Sequence, residues 1–163
     1  RIASFLEGMG YNAYPVPASQ RIRDRYQSIF PHRGAALLAG LGWIGYSCNL
    51  ITPEWGPRVR LGTVLTDAPL LEGERVESLC GDCRACVEIC PPGAIKGVPF
   101  SPEIPFSRRF DPQACSRYKD VVRDSFGKRV CGLCLAACPQ GRGRRFTQGR
   151  DNDHPLVSQP HKV

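Results

Sequence analysis

The sequence predicts an α+β chain in three stretches: a small mixed part over residues 1–72, a cysteine-dense module over 73–141 and a basic tail over 142–163. Three observations carry this. Short apolar runs, some of helical and some of alternating period, follow one another as far as residue 66, interrupted by Gly and Pro. Eight of the nine cysteines then crowd between residues 80 and 138. Beyond Gln140 the apolar residues thin out, and Arg142, Arg144 and Arg145 stand among glycines.

Taken in order, residues 1–6 place Ile2, Phe5 and Leu6 at helical spacing, with Gly8 and Gly10 as stops. Residues 11–16 predict a short strand, and Pro15 and Pro17 suit a sheet edge because proline offers no ladder donor. In 20–26 Arg21, Arg23 and Arg25 alternate with Ile22, Asp24 and Tyr26, the pattern of a solvated basic segment; a phosphate or carboxylate clamp is the sharper alternative. The Ala- and Leu-rich stretch 34–41 predicts a short buried helix. It runs into Gly40, Gly42 and Gly45 around Trp43, and such glycines either serve tight turns or let a flat ligand approach the backbone. Residues 47–52 and 58–66 predict two strands joined at Pro53-Glu54-Trp55-Gly56-Pro57 as an antiparallel hairpin, with Val59, Leu61, Thr63 and Leu65 on one face. Residues 67–75 form a loop. Residues 97–110, with Pro99, Pro102 and Pro105, are irregular and cover the module, and 117–126 predicts a helix with Cys115 just before it. The tail is expected to be mobile.

The cysteines carry the chemistry. Cys80, Cys83, Cys86 and Cys90 follow C-x2-C-x2-C-x3-C with Pro91 next, the bacterial ferredoxin run in which three thiolates hold one cubane and the fourth ligates another. A second cluster is therefore required. Cys131, Cys134 and Cys138 repeat the x2 and x3 spacing, Pro139 repeats the proline, and Cys115 supplies a further thiol. By the two-cluster rule Cys80, Cys83, Cys86 and Cys138 are expected to hold one 4Fe-4S cluster, and Cys90, Cys115, Cys131 and Cys134 the other. A zinc ribbon leaves the triple run and both Cys-Pro ends unexplained. A secreted disulfide framework would want an even cysteine count.

No apolar run approaches the ~18 residues of a membrane span. The formal charge of +7 suggests a nucleic-acid partner, but it counts cysteines as neutral. Two loaded cubanes at about −2 each bring the total to about +3, which weakens that argument. Free thiols and exposed clusters point to a reducing cytoplasm. Neither a signal peptide nor an initiator Met is visible, and residues 1–9 begin as a helix already under way, so a preceding portion is expected.

Two features now coincide with the cysteine pattern: Ala39-Gly40-Leu41-Gly42-Trp43-Ile44-Gly45, and Leu61-Gly62-Thr63-Val64-Leu65-Thr66-Asp67. Together with Pro91 and Gly93-Ala94-Ile95, the combination over 34–139 resembles the cobalamin-dependent two-cluster reductases typified by epoxyqueuosine reductase, with reductive dehalogenases as more distant relatives. The resemblance implies that residues 1–72 are the C-terminal part of a nitroreductase-like, cobalamin-type α/β domain. A ferredoxin-like module would then feed electrons from an external donor such as ferredoxin or flavodoxin to a corrinoid against Gly40, Gly42, Trp43 and Gly45. In such reductases an aspartate precedes the glycine motif; here its place falls near Tyr26, and 26–38 holds no acidic residue. The cation that usually follows the motif is replaced by Tyr46. Tyr26 and Tyr46 are therefore the candidate acids, with a buried structural role as the other reading of Tyr46. The helical-repeat extension of some members is missing, so tRNA is the less favoured partner. A carrier module without an active site is the competing reading.

Cys48, the ninth cysteine, is expected to be a buried free thiol. His32, His154 and His161 show no paired metal spacing. The run 141–145 could meet RNA phosphates but has the composition of a solvated tail.

Overall fold

The computed structural model describes residues 1–18, 22 and 28–142; Tyr26, its neighbouring arginines and the tail from residue 143 lie outside them. Helix α1 (Ile2–Gly8) turns Ala3 and Leu6 inward and leaves Ile2 and Phe5 exposed. The expected apolar trio is thus split, because the sheet behind α1 lies against one side only. That sheet pairs β1 (Ala13–Val16) antiparallel with β4 (Thr63–Thr66), from Ala13 opposite Thr66 to Val16 opposite Thr63. With two strands, both are edges, which is why Pro15 is tolerated opposite Val64. Asp67 closes the end, accepting from Asn12 N and Nδ2 at 2.8 and 2.6 Å.

Helix α2 (His32–Leu38) starts two residues earlier than its Ala-Leu pattern suggests and buries Ala36. The predicted hairpin of 47–52 with 58–66 does not form. Instead β2 (Trp43–Ile44) pairs with β3 (Leu50–Ile51), and the strand around residue 64 crosses to β1. The cause is the local turn 45–49, closed by Cys48 N donating to Gly45 O and Gly45 N to Asn49 O, which satisfies the backbone before the proline-rich turn is reached. Cys48 takes φ +57 in this turn, a left-handed conformation unusual for a residue with a Cβ. Since β4 begins only at Thr63, the expected shared face of Val59, Leu61, Thr63 and Leu65 is also broken: Leu61 packs on the core while Leu65 is exposed.

The cysteine module carries α3 (Ala85–Glu88), α4 (Phe106–Arg109), α5 (Pro112–Phe126) and α6 (Leu133–Ala137). Helix α5 has the signals of a well-started and well-stopped helix. Asp111 caps it by accepting from Ala114 N at 2.9 Å, Pro112 opens it, and Gly127 ends it at φ +71. It starts five residues before the predicted 117–126, so Cys115 lies within its first turn rather than ahead of it. The segment 97–110, expected to be irregular, contains α4 and returns to bridge Ile95 with Phe110.

Two small cores hold these parts together. One joins Ala36, Ile44 and Leu50, with Leu37, Leu61 and Phe100 against it. The other joins Trp43 and Ile51 of the hairpin to Cys138, with Val76 and Cys80 alongside, so the mixed part and the cysteine module share a core. Gly40, at φ +70, lets residues 73–74 lie directly on its backbone; a Cβ there would collide with the Glu74 carbonyl. Among the described residues no helix is long and apolar enough to cross a membrane.

Candidate metal centre

The first cysteine run folds as tight turns. Cys83 N donates to Cys80 O at 2.9 Å, and Cys86 sits on α3. Cys90 ends that helix, and Gly93 N returns to Cys90 O at 3.0 Å across Pro91 and Pro92. In the second run Cys134 lies on α6 and Cys138 follows its end, while Cys115 comes from α5. Helix α3 packs beside α6, which draws the two runs together.

The electrostatics separate the thiols into two groups. Burial pushes the Cys86 thiol up to about 11, and Cys80, Cys138, Cys134 and Cys83 add to the rise. Cys138 is raised by burial and by Cys80 and Cys83, against the opposing pull of the Gln140 N–H and Arg58. Cys134 is raised by burial and then by Cys131, Cys90 and Cys115. Cys115 is raised by burial, with Cys90 and Cys131 adding to it and Lys119 and Arg129 opposing. Thiols that raise one another stand close enough to repel as thiolates, and a cation among them would relieve the repulsion and displace their protons. Cys86 and Cys138 thus lie in the field of Cys80 and Cys83, Cys115 and Cys134 in that of Cys90 and Cys131, and Cys86 also senses Cys134 across the helix pair.

Among the described residues no three Cys, His, Asp or Glu side chains converge on a point that would hold one ion. A cubane asks for a different arrangement, since each thiolate binds its own iron at a separate corner. The second set lines a cavity of about 490 Å³ that also includes Arg33, Ser47, Cys48, Asn49, Lys119 and Arg129. Beside Cys86, the Arg84 guanidinium is held up chiefly by its hydrogen bond to Tyr46, while its Nη1 is buried with no partner of its own. Donor type and spacing fit 4Fe-4S ligation, and the cavity beside Cys90, Cys115, Cys131 and Cys134 leaves room for such a group.

The surroundings of the first set come from the mixed part. Trp43 Nε1 donates to Cys80 Sγ at 3.3 Å. Arg58 donates to Cys138 O at 2.9 Å and Gln140 O at 2.7 Å. Gly56 and Gly141 meet backbone to backbone, and a Cβ on either would strike the other segment. Neither Trp43 as a donor nor Arg58 as a clamp had any sequence signal, since no periodicity links residues so far apart.

The structure places the remaining candidates as follows. Gly42, Trp43 and Gly45 are buried, and the space at these glycines is taken by the chain itself. A Cβ on Gly45 would collide with Ile51 and lie 3.3 Å from Cys80 Sγ. Gly40, Gly42, Trp43 and Gly45 face 51–52, 73–74 and Cys80. Tyr46 donates its hydroxyl proton to Gly81 O at 3.1 Å, and its ring lies under the Arg84 guanidinium at 4.0 Å. Tyr26 lies outside the described residues. Cys48 is 3% exposed, and burial raises its thiol against the opposing Arg109 and Arg33 guanidiniums; Arg33 also donates to its carbonyl. His32 is engaged with Thr63 Oγ1 at 2.8 Å.

Comparison with known proteins adds to this geometry. A family model described as a 4Fe-4S dicluster domain matches residues 79–142. The epoxyqueuosine reductase of Bacillus anthracis is 34% identical over 126 residues, which is 76% of this chain and 31% of that protein. The solved catabolic reductive dehalogenase NpRdhA is similar at a TM-score of 0.67 and 27% identity, over 86% of this chain and 20% of that one. An epoxyqueuosine reductase solved with an epoxyqueuosine-modified tRNA-Tyr stem loop shares the fold, with a TM-score of 0.65 and 24% identity over 88% of this chain and 36% of that one. The chain spans about a third of the length of the curated relatives it matches.

Proposed function

The chain belongs to the epoxyqueuosine-reductase-like family and carries its 4Fe-4S dicluster domain, and from that premise we propose that it relays single electrons to a reductive centre. The observation that carries this reading is the match of residues 79–142 to a 4Fe-4S dicluster domain, in a stretch where α3 and α6 bring the two cysteine runs side by side. Cys80, Cys83, Cys86 and Cys138 would hold one cluster, and Cys90, Cys115, Cys131 and Cys134 the other. When bound, each cluster takes up and gives back one electron without making or breaking a bond to substrate. The protein's own part is positional and electrostatic. Its turns fix the thiolates, the shared core covers Cys138 and one side of Cys80, and Arg33, Lys119 and Arg129 line the cavity of the second set and offset the negative charge of a loaded cluster.

The electron donor is proposed to be an external ferredoxin or flavodoxin. The acceptor is proposed to be a corrinoid, in keeping with the family resemblance, held by parts of the protein beyond the described residues, because the Gly40 to Gly45 loop is filled by the chain. That loop would then be the partition beside the first cluster rather than the corrinoid seat. The Tyr46 proton is engaged with Gly81 O, which favours Tyr26, or a residue in the length not spanned here, as the acid. A tRNA substrate is retained, because the fold is shared with an epoxyqueuosine reductase solved with a tRNA stem loop. The carrier module without a site of its own is the weaker reading, given relatives that are themselves reductases.

The test is metal analysis of protein prepared without oxygen and supplied with cobalamin, together with its visible and EPR spectra. About eight irons per chain are expected, and one cobalt in addition would bring the corrinoid seat into this chain. Eight irons without cobalt would keep the relay and remove the corrinoid from this chain. Fewer irons, or zinc in their place, would overturn the two-cluster assignment.

A further inference from the structure

Trp43 lies on β2 opposite Ile51, 2% exposed, in the core that also takes in Cys138 and Cys80. An indole has one donor, and here it points at sulfur: Nε1 is 3.3 Å from Cys80 Sγ. A buried N–H needs a partner, and a thiolate carrying cluster charge is a better acceptor than a neutral thiol. An N–H donated to a cluster thiolate stabilises the more negative, reduced state of the cluster over the oxidised one. No water can take over this role, because the indole edge is sealed between the hairpin and the cysteine module.

We propose that Trp43 is a positioning residue that sets the potential of the cluster held by Cys80, Cys83, Cys86 and Cys138, making it easier to reduce than its four thiolates alone would leave it. The step it tunes is the addition of one electron, delivered from outside, with no bond formed or broken. The donor comes from the mixed part of the chain, so the potential of this cluster reports on whether the hairpin is docked. In the other set Cys134 takes a backbone N–H from Leu135, and the cations Arg33, Lys119 and Arg129 line the cavity beside it.

The inference rests on the two-cluster reading, and the same titration separates the two. The unaltered, loaded chain is titrated with titanium(III) citrate and followed by EPR; two one-electron steps with about eight irons are required, and their absence ends the two-cluster reading itself. In Trp43→Phe, which keeps an aromatic ring in the wall, one step is expected to move to more negative potential. The expected size is about tenfold in the reduced-to-oxidised ratio, or about 59 mV for one electron, while the other step stays in place. If neither step moves, or both move together, the proposal fails. Should Trp43→Phe not load, the full chain carrying Trp55→Phe and 15N-labelled indole decides. A 15N coupling to the reduced cluster in HYSCORE spectra is expected across the N–H···S bond, and its absence overturns the proposal.

Discussion

On the proposed two-cluster reading, removal of Arg58 should separate the clusters by their rate of iron loss. Its guanidinium bridges Cys138 O and Gln140 O at 2.9 and 2.7 Å, tying the last cluster ligand to the turn 53–57. Hydrogen bonds from a charged donor contribute about 1.5–3 kcal/mol each, and Arg58 is exposed, so the low end applies and water can rehydrate the freed carbonyls. Replacing it with Met keeps the aliphatic stem and removes both bonds, a loss of roughly 1.5–3 kcal/mol in the cost of opening 138–141. At 1.4 kcal/mol per tenfold, this opening becomes about 10- to 100-fold more frequent. The assay is iron release to an excess of chelator under argon. In R58M four irons are expected to leave faster by that factor, while the other four leave at the unaltered rate, because no ligand of the second set touches Arg58. Two phases accelerated equally, or unchanged, would refute the claim that Arg58 anchors one cluster alone.

Three other outcomes are expected. Asp111→Ala removes the α5 cap and costs about 1 kcal/mol of helix stability; because Cys115 lies in that first turn, its cluster should be lost preferentially, which iron analysis after mild heating can read. In thiol labelling, the loaded protein should protect its cysteines, chelation should release the exposed Cys83 and Cys131 to rapid alkylation ahead of Cys86 and Cys138, and Cys48 should react only on denaturation, since burial holds its thiol up and it is 3% exposed. Iron-free protein should lose stability as pH rises from 9 towards 11, followed by circular dichroism. The Cys86 thiol is raised from 9.0 to about 11 in the fold, so the folded state keeps a proton that the unfolded chain gives up across that window.

The 4Fe-4S dicluster module was legible because cluster ligands obey a local rule: spacings of two and three residues in a tight turn are visible in sequence, and a triple run implies a partner. The helical stretches were legible for similar reasons of short range, although α5 began earlier than expected, because the Asp111-Pro112 start lies ahead of its apolar periodicity. Strand partners were not legible. Residues 63–66 pair with 13–16 rather than with 50–51 because the turn at 45–49 closes its own hairpin first, a competition between local hydrogen bonds that alternation does not reveal. The glycine motif was open to two readings, a tight turn or a ligand's approach, and the bodies that lie against it include backbone 73–74 and the side chain of Ile51. Steric need for glycine is the same whichever body comes near, so the residue type alone could not tell them apart.

The shared core of Trp43, Ile51 and Cys138 also governs how the chain comes to its final form. Arg58 and Cys138, which this core brings side by side, are 80 positions apart. Closing so long a loop carries an entropic cost of order (3/2)RT ln n and makes contacts of this kind late and slow. During synthesis the hairpin emerges with the apolar face of Trp43 uncovered, and it stays uncovered until residue 138 has left the ribosome. The interval between those events is the period of greatest exposure to aggregation, and iron delivered before it ends would meet only three of the first cluster's four thiols.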